Sequence, residues 1–92
     1  VIKSFRHKGL RRLFEIGSPS DVQASHAKRL RLQLAASDTA QSVEDLNIPG
    51  FRLHPLKGQM RGRRSITVDG DWRVTFEFEH GNAYVLDYED CQ

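Results

Sequence analysis

The strongest constraint on the fold is an alternating apolar pattern on either side of Asp69-Gly70. Ile66 and Val68 alternate with Ser65 and Thr67. Beyond the Asp-Gly pair, Trp72, Val74, Phe76 and Phe78 alternate with Arg73, Thr75 and Glu77. A period of two with an Asp-Gly turn between the runs predicts a β-hairpin with one buried face. His80-Gly81-Asn82 turns the chain again, and a last strand places Tyr84, Leu86 and Tyr88 on one face, with Val85, Asp87 and Glu89 opposite. Upstream, Phe51 and Leu53 alternate with Arg52 and His54, predicting an earlier strand that Pro55 ends or holds at an edge.

The first half of the chain has a different period. Leu10, Leu13 and Phe14 share one helical face, and Gly17 has the character of a helix C-cap. Ser20 and Gln23 have capping-box spacing, and Ala24, Ala27, Leu30 and Leu34 form the stripe of a second helix reaching about Ser37, which faces the core with small residues. Ile2 and Phe5 indicate a short opening strand over residues 1–6. The expected order is β-α-α-β-β-β-β, an α+β fold with two N-terminal helices on one face of a small, mostly antiparallel sheet. The chain's 92 residues fit one domain, residues 1–92. Two helices cover one sheet face only, so the other is solvated or binds something. Strand parity puts Arg73 and Thr75 on that open face, and Arg52 and His54 with them.

Charge is unevenly distributed along the chain. The net value is +2, yet residues 1–35 carry a surplus of six positive charges and residues 51–75 one of four, whereas residues 36–50 and 76–92 carry surpluses of three and five negative ones. This pattern suggests a basic surface opposed by an acidic tail, suited to a polyanion such as RNA. There is no apolar run long enough for a membrane span and no basic-then-apolar opening segment. The single cysteine, Cys91, makes no internal disulfide, and a reducing cytoplasmic location is expected. His7, His26 and His80 are scattered and suggest no metal site, and no Gly-rich phosphate loop is present. Trp72, Tyr84 and Tyr88 read as core or core-edge residues.

His54, Lys57, Arg61, Arg63, Arg64 and Arg73 can converge on the open face, and Asp90 can reach the same region from the end of the last strand. Cleavage of RNA by internal attack needs this mixture: a base for the ribose 2′-OH, cations for the developing phosphorane and an acid for the departing 5′-oxygen.

The run Arg52-Leu53-His54-Pro55-Leu56-Lys57-Gly58, then Ser65-Ile66-Thr67-Val68, Trp72-Arg73-Val74-Thr75-Phe76 and Leu86-Asp87-Tyr88-Glu89-Asp90, resembles the HigB toxins of the RelE/ParE superfamily. The opening Ile2-Lys3-Ser4-Phe5-Arg6-His7-Lys8-Gly9-Leu10 matches the family's start, so the resemblance runs end to end. It implies a RelE-like fold and a metal-independent endoribonuclease, without cofactor, that cleaves mRNA in the ribosomal A site and so inhibits translation. It implies a HigA-like helix-turn-helix antitoxin as partner, with operator DNA met only through that antitoxin. By position, Lys57 and Arg73 would neutralise phosphate, and His54 and Asp90 would position RNA or move protons. Arg52, Arg61, Arg63, Arg64, Lys8, Arg11 and Arg12 would meet message or ribosomal RNA. Family members commonly end in Tyr-His where this chain has Cys91 and Gln92, which removes a stacking group and a proton carrier and is expected to weaken cleavage. The alternative reading is a toxin that acts by binding, on the ribosome or on gyrase as ParE-like toxins do, and that serves as co-repressor with HigA.

Overall fold

The structure, a computed structural model, describes residues 1–58 and 62–90. It has two helices, α1 (Lys8–Ile16) and α2 (Ala27–Thr39), followed by strands β1 (His54–Pro55), β2 (Arg64–Asp69), β3 (Trp72–Glu79) and β4 (Asn82–Asp90). The four strands form one antiparallel sheet in the order β1-β2-β3-β4. The expected α+β arrangement is present. No helix among the described residues is long and apolar enough to cross a membrane.

The helices pack on one face of the sheet. Leu10 and Leu13 of α1 and Leu30 and Leu34 of α2 meet Ile66, Val68, Val74, Phe76, Ala83, Leu86 and Tyr88, with Leu46 and Phe51 closing the core from the connecting loop. Burying an aliphatic side chain of this size contributes roughly 1.5–3 kcal/mol. Gly17 caps α1 as expected, with φ of 74° and its N–H returned to the last turn. At the other end the His7 ring accepts from the Leu10 N–H at 3.2 Å.

Several local expectations fail for identifiable reasons. Ser20 and Gln23 form no capping box. Ser20 instead pairs with Ser18, and the chain passes through a 3₁₀ turn at Ala24–His26 before α2 begins. Ala24 is therefore exposed, and α2 runs on to Thr39. Its buried face also includes two polar residues, Gln33 and Ser37, not only small ones. The β2 edge explains Gln33. Strand β1 covers only Ser65 and Arg64, which leaves the Thr67 carbonyl without a strand partner. Gln33 Nε2 donates to that carbonyl at 2.7 Å and Arg29 approaches it at 3.4 Å. A buried carbonyl left unpaired would cost about 1–3 kcal/mol.

The opening strand is reduced to two isolated parallel bridges, Ile2 with Ala83 and Phe5 with Leu86. The interruption lies in β4. Between Thr75 and Glu77 on β3 the pairing slips by one residue on β4, and Val85 takes φ of 55°. This bulge breaks the parallel ladder, and the Ser4 hydroxyl, not a carbonyl, accepts the Val85 N–H at 2.9 Å. It also reverses strand parity. Ala83, Leu86 and Tyr88 face the core, and Tyr84 does not share their face, contrary to the simple alternation.

The strand expected from Phe51 is only His54–Pro55 long. Phe51 sits in a turn with its N–H on Ile48, and Arg52 takes φ of 53°. A left-handed residue breaks alternation, so Arg52 and His54 are not related by strand parity. The first hairpin also closes one residue later than expected, with Asp69 paired to Trp72 across Gly70-Asp71.

Candidate functional site

The face of the sheet away from the helices carries a row of polar side chains set by register. His54 pairs with Ser65, Ser65 with Thr75, and Thr75 with Asp87. The next row is Thr67, Arg73 and Glu89. His54 and Arg73 thus lie two strands apart and two residues along, roughly 12 Å between backbones from ordinary sheet spacings. Two long side chains at that separation leave room for a phosphodiester between them.

The His54 ring is held through Nδ1, which lies 2.9 Å from the Arg52 carbonyl. Ser65 Oγ packs against the face of the ring, 3.1 Å from Nε2 and 3.4 Å from Nδ1. A carbonyl only accepts, so Nδ1 carries the hydrogen and Nε2 presents a lone pair. Arg73 is held by a hydrogen bond from Nη1 to Thr67 Oγ1 at 2.9 Å. It forms no ion pair among the described residues, so its charge is available to an anion. Lys57 is exposed in the segment after β1.

Backbone register sets Asp90 apart from this row. It pairs with Trp72, in register with Tyr88 and on the helix side of the sheet. The carboxylate next to Arg73 is Glu89, which accepts from the Thr75 hydroxyl at 2.9 Å. Alternation in the last strand already put Glu89 on the open face. Its pairing with Arg73 is not legible in the sequence, because the two lie sixteen positions apart.

The basic loop expected over residues 61–64 is different in the structure. Arg63 is buried, at 8% exposure, and its guanidinium is engaged inside the chain. It donates to Thr75 Oγ1 at 3.1 Å and to the Val85 carbonyl at 2.7 Å, and pairs with Glu77 at 3.4 Å. Arg63 therefore supports the sheet where a solvent-facing cation was expected, while Arg64 opens β2. Arg61, Cys91 and Gln92 lie outside the described residues. Lys8, Arg11 and Arg12 are exposed on α1, on the helical side, with Arg11 paired to Glu15 and Arg12 to Asp21. Arg52 turns away from His54 to line a cavity beside α2.

The expected division into a basic surface and an acidic tail also dissolves. Antiparallel pairing sets Glu89 beside Arg73 and brings Glu77 to Arg63, so both signs share one face. Among the described residues no group of three or more His, Cys, Asp or Glu side chains is placed to hold a metal ion.

On the helix side, Tyr88 and His26 form a buried polar contact inside an aromatic cluster. The Tyr88 hydroxyl lies 2.5 Å from His26 Nδ1, and Trp72 packs on both rings. His26 Nε2 faces the Asp69 carboxylate at 3.6 Å. The carboxylate favours the hydrogen on Nε2, so Nδ1 accepts from the phenol. Burial raises the Tyr88 phenol above its usual 10.0, offset in part by a backbone hydrogen bond with Gln23.

Residues 3–92 match the family described as HigB-like toxin, the RelE-like toxin of the type II toxin–antitoxin system HigB. The chain is 51% identical over 90 residues to a protein of Proteus vulgaris named Endoribonuclease HigB, an alignment that covers 98% of each. With the sheet, the paired helices and the His54–Arg73 face in place, the chain belongs to the HigB-like toxins, RelE-like toxins of type II toxin–antitoxin systems.

Proposed function

We propose that this toxin is an endoribonuclease that cuts messenger RNA in the ribosomal A site, without a metal ion, and thereby stops translation. The observation that carries this reading is the shared face of His54 and Arg73, with the Nε2 lone pair on one side and, on the other, a guanidinium held by Thr67 that forms no ion pair among the described residues. The name of the Proteus vulgaris relative, Endoribonuclease HigB, supports the class of reaction.

His54 Nε2 takes the proton from a ribose 2′-OH, and the 2′-oxygen attacks the adjacent phosphorus. Arg73 neutralises charge on the non-bridging oxygens as the phosphorane forms, and Lys57 supplies a second cation. The P–O5′ bond breaks to leave a 2′,3′-cyclic phosphate, and the 5′-oxygen departs with a proton for which Lys57 is the donor at hand. Asp90 takes no step in this scheme, because its register position is on the helix side. A shallow sheet face binds RNA weakly by itself, and the ribosome supplies specificity by presenting the codon. A HigA-like helix-turn-helix antitoxin would neutralise the toxin and carry it to operator DNA.

Primer extension on a message under translation in a purified system tests the reading. The expected result is new 5′ ends inside codons, dependent on ribosomes and reduced about a hundredfold or more by Lys57→Ala or Arg73→Ala in folded protein. Full cleavage by both variants would remove the His54–Arg73 face from the chemistry. Cys91→Tyr with Gln92→His is expected to raise the rate, because general acid–base help is worth about 10²–10⁴-fold. Absence of new ends from a folded protein that binds ribosomes would instead favour a toxin that acts by binding.

A further inference from the structure

A second concave site lies round the β2 edge from the candidate face. It is a cavity of about 600 Å³ between the start of α2, the turn at Gly50–Arg52 and the β2–β3 hairpin. That volume is in the range of small-ligand sites. Its polar lining includes Arg29, Arg52, His26 and Asp69.

Two features make it an anion site rather than a solvated dent. Among the described residues the Arg29 guanidinium meets no carboxylate: it donates to the carbonyls of Gly50 at 2.7 Å and Thr67 at 3.4 Å, lies over the Phe51 ring 5.5 Å from its centroid, and its Nε is buried with no hydrogen-bond partner. Its charge is thus oriented but not neutralised. Arg52 makes no side-chain hydrogen bond or ion pair among the described residues, and it takes φ of 53°, a left-handed conformation seldom adopted by residues with a Cβ. That conformation lets Phe51 bury in the core while Arg52 lines the cavity. The one carboxylate on the rim, Asp69, is largely exposed and faces His26.

Thr67 joins this cavity to the candidate face. Its hydroxyl holds Arg73 on the open side, and its carbonyl meets Arg29 and Gln33 on the other. A strand of RNA lying over Arg73 and crossing the β2 edge would next meet the cavity.

We propose that this cavity is a subsite for a neighbouring nucleotide of the same RNA, its phosphate taken by Arg52 and Arg29 and its sugar or base edge by Asp69. The proposal rests on the reading of the protein as an RNA-cutting toxin. It gives Arg29 and Arg52 a task that the cleavage step leaves open. Arg52 is the specific handle, because its side chain has no hydrogen-bond or ion-pair partner to lose among the described residues.

Titration of the full chain with an RNA pentanucleotide, followed by amide NMR, tests it. The expected result is shifts at Gly50 and Gly70 together with those at Ser65 and Thr75. Arg52→Gln should abolish the first set and weaken binding about tenfold or more, while the second set remains. Ser25→Glu, which adds a negative charge at the rim of the cavity, should act in the same direction without touching Arg52. Shifts confined to Ser65 and Thr75 would overturn the subsite and leave the cleavage reading standing. Equal shifts at Gly50 with inorganic phosphate and no gain from RNA would overturn it as an RNA subsite. No shift anywhere would also remove the subsite, and primer extension alone would then judge cleavage.

Discussion

Arg63 reaches across β3 to donate to the carbonyl of Val85 at 2.7 Å, and Val85 is the residue that bends β4 with φ of 55°. A β-branched residue is costly in the left-handed region, by roughly 1–2 kcal/mol. Both ends of its peptide geometry are held: Ser4 accepts from its N–H and Arg63 donates to its carbonyl. The same guanidinium covers Thr75, which is 1% exposed, in the middle of the open face.

Arg63→Ala should therefore destabilise the protein by about 2–4 kcal/mol, because it leaves the half-buried Val85 carbonyl and the buried Thr75 hydroxyl without their donor. The pairing with Glu77 adds little, since that carboxylate is half exposed. Arg64→Ala, one residue on, should change stability by no more than about 0.5 kcal/mol. Urea unfolding of the two variants side by side checks the contrast. Equal, small effects would mean that Arg63 does not hold the bulge.

Thr67→Val removes the acceptor that fixes Arg73 while preserving shape. Cleavage should fall about tenfold to a hundredfold through misplacement of the guanidinium, with stability changed by no more than about 1 kcal/mol. Thr67→Ser should restore most of the rate. Single-turnover cleavage on programmed ribosomes separates this positioning effect from a loss of folding, and a Thr67→Val protein with unchanged rate would show that Arg73 needs no clamp.

Gly9 sits in the first turn of α1 against the Asp21 backbone. A Cβ there would come within 2.7 Å of the Asp21 carbonyl oxygen and of the His7 ring. Alanine gains about 1 kcal/mol in helix propensity, but the clash is with backbone and overpacking costs about 1–3 kcal/mol. Gly9→Ala should be net destabilising, and a lowered melting temperature is the expected observation. A raised one would mean that the 18–21 loop gives way freely.

The Tyr88 phenol should titrate above the usual 10.0 because burial disfavours the phenolate. Below that value both folded and unfolded chains keep the proton, so this group adds no pH dependence. Above it the unfolded chain loses its proton first, and stability falls as pH rises from 10.0 towards the folded value. Tyrosinate absorbance during alkaline titration, with Tyr88→Phe as reference, reads this directly. The same substitution should cost about 1–2 kcal/mol near neutral pH, since His26 Nδ1 loses its buried partner.

The elements whose burial is periodic and local could be read from the order of the residues. Leu10 and Leu13 marked α1, Gly17 its end, and Val74 and Phe76 the central strand, because helix and strand repeat side-chain direction at fixed intervals. Family membership was legible for a similar reason, in short motifs that span the chain. Three features depend on long-range pairing and packing. Tertiary structure placed Asp90 on the opposite side from Arg73, since register is settled by pairing with β3. It turned Arg63 from a loop cation into a buried clamp and Val85 into a bulge, since one extra residue on β4 needs partners found only across the sheet. It moved Arg52 from the face of His54 to the cavity beside Arg29, since a single left-handed residue breaks the alternation on which any sequence reading of a strand depends.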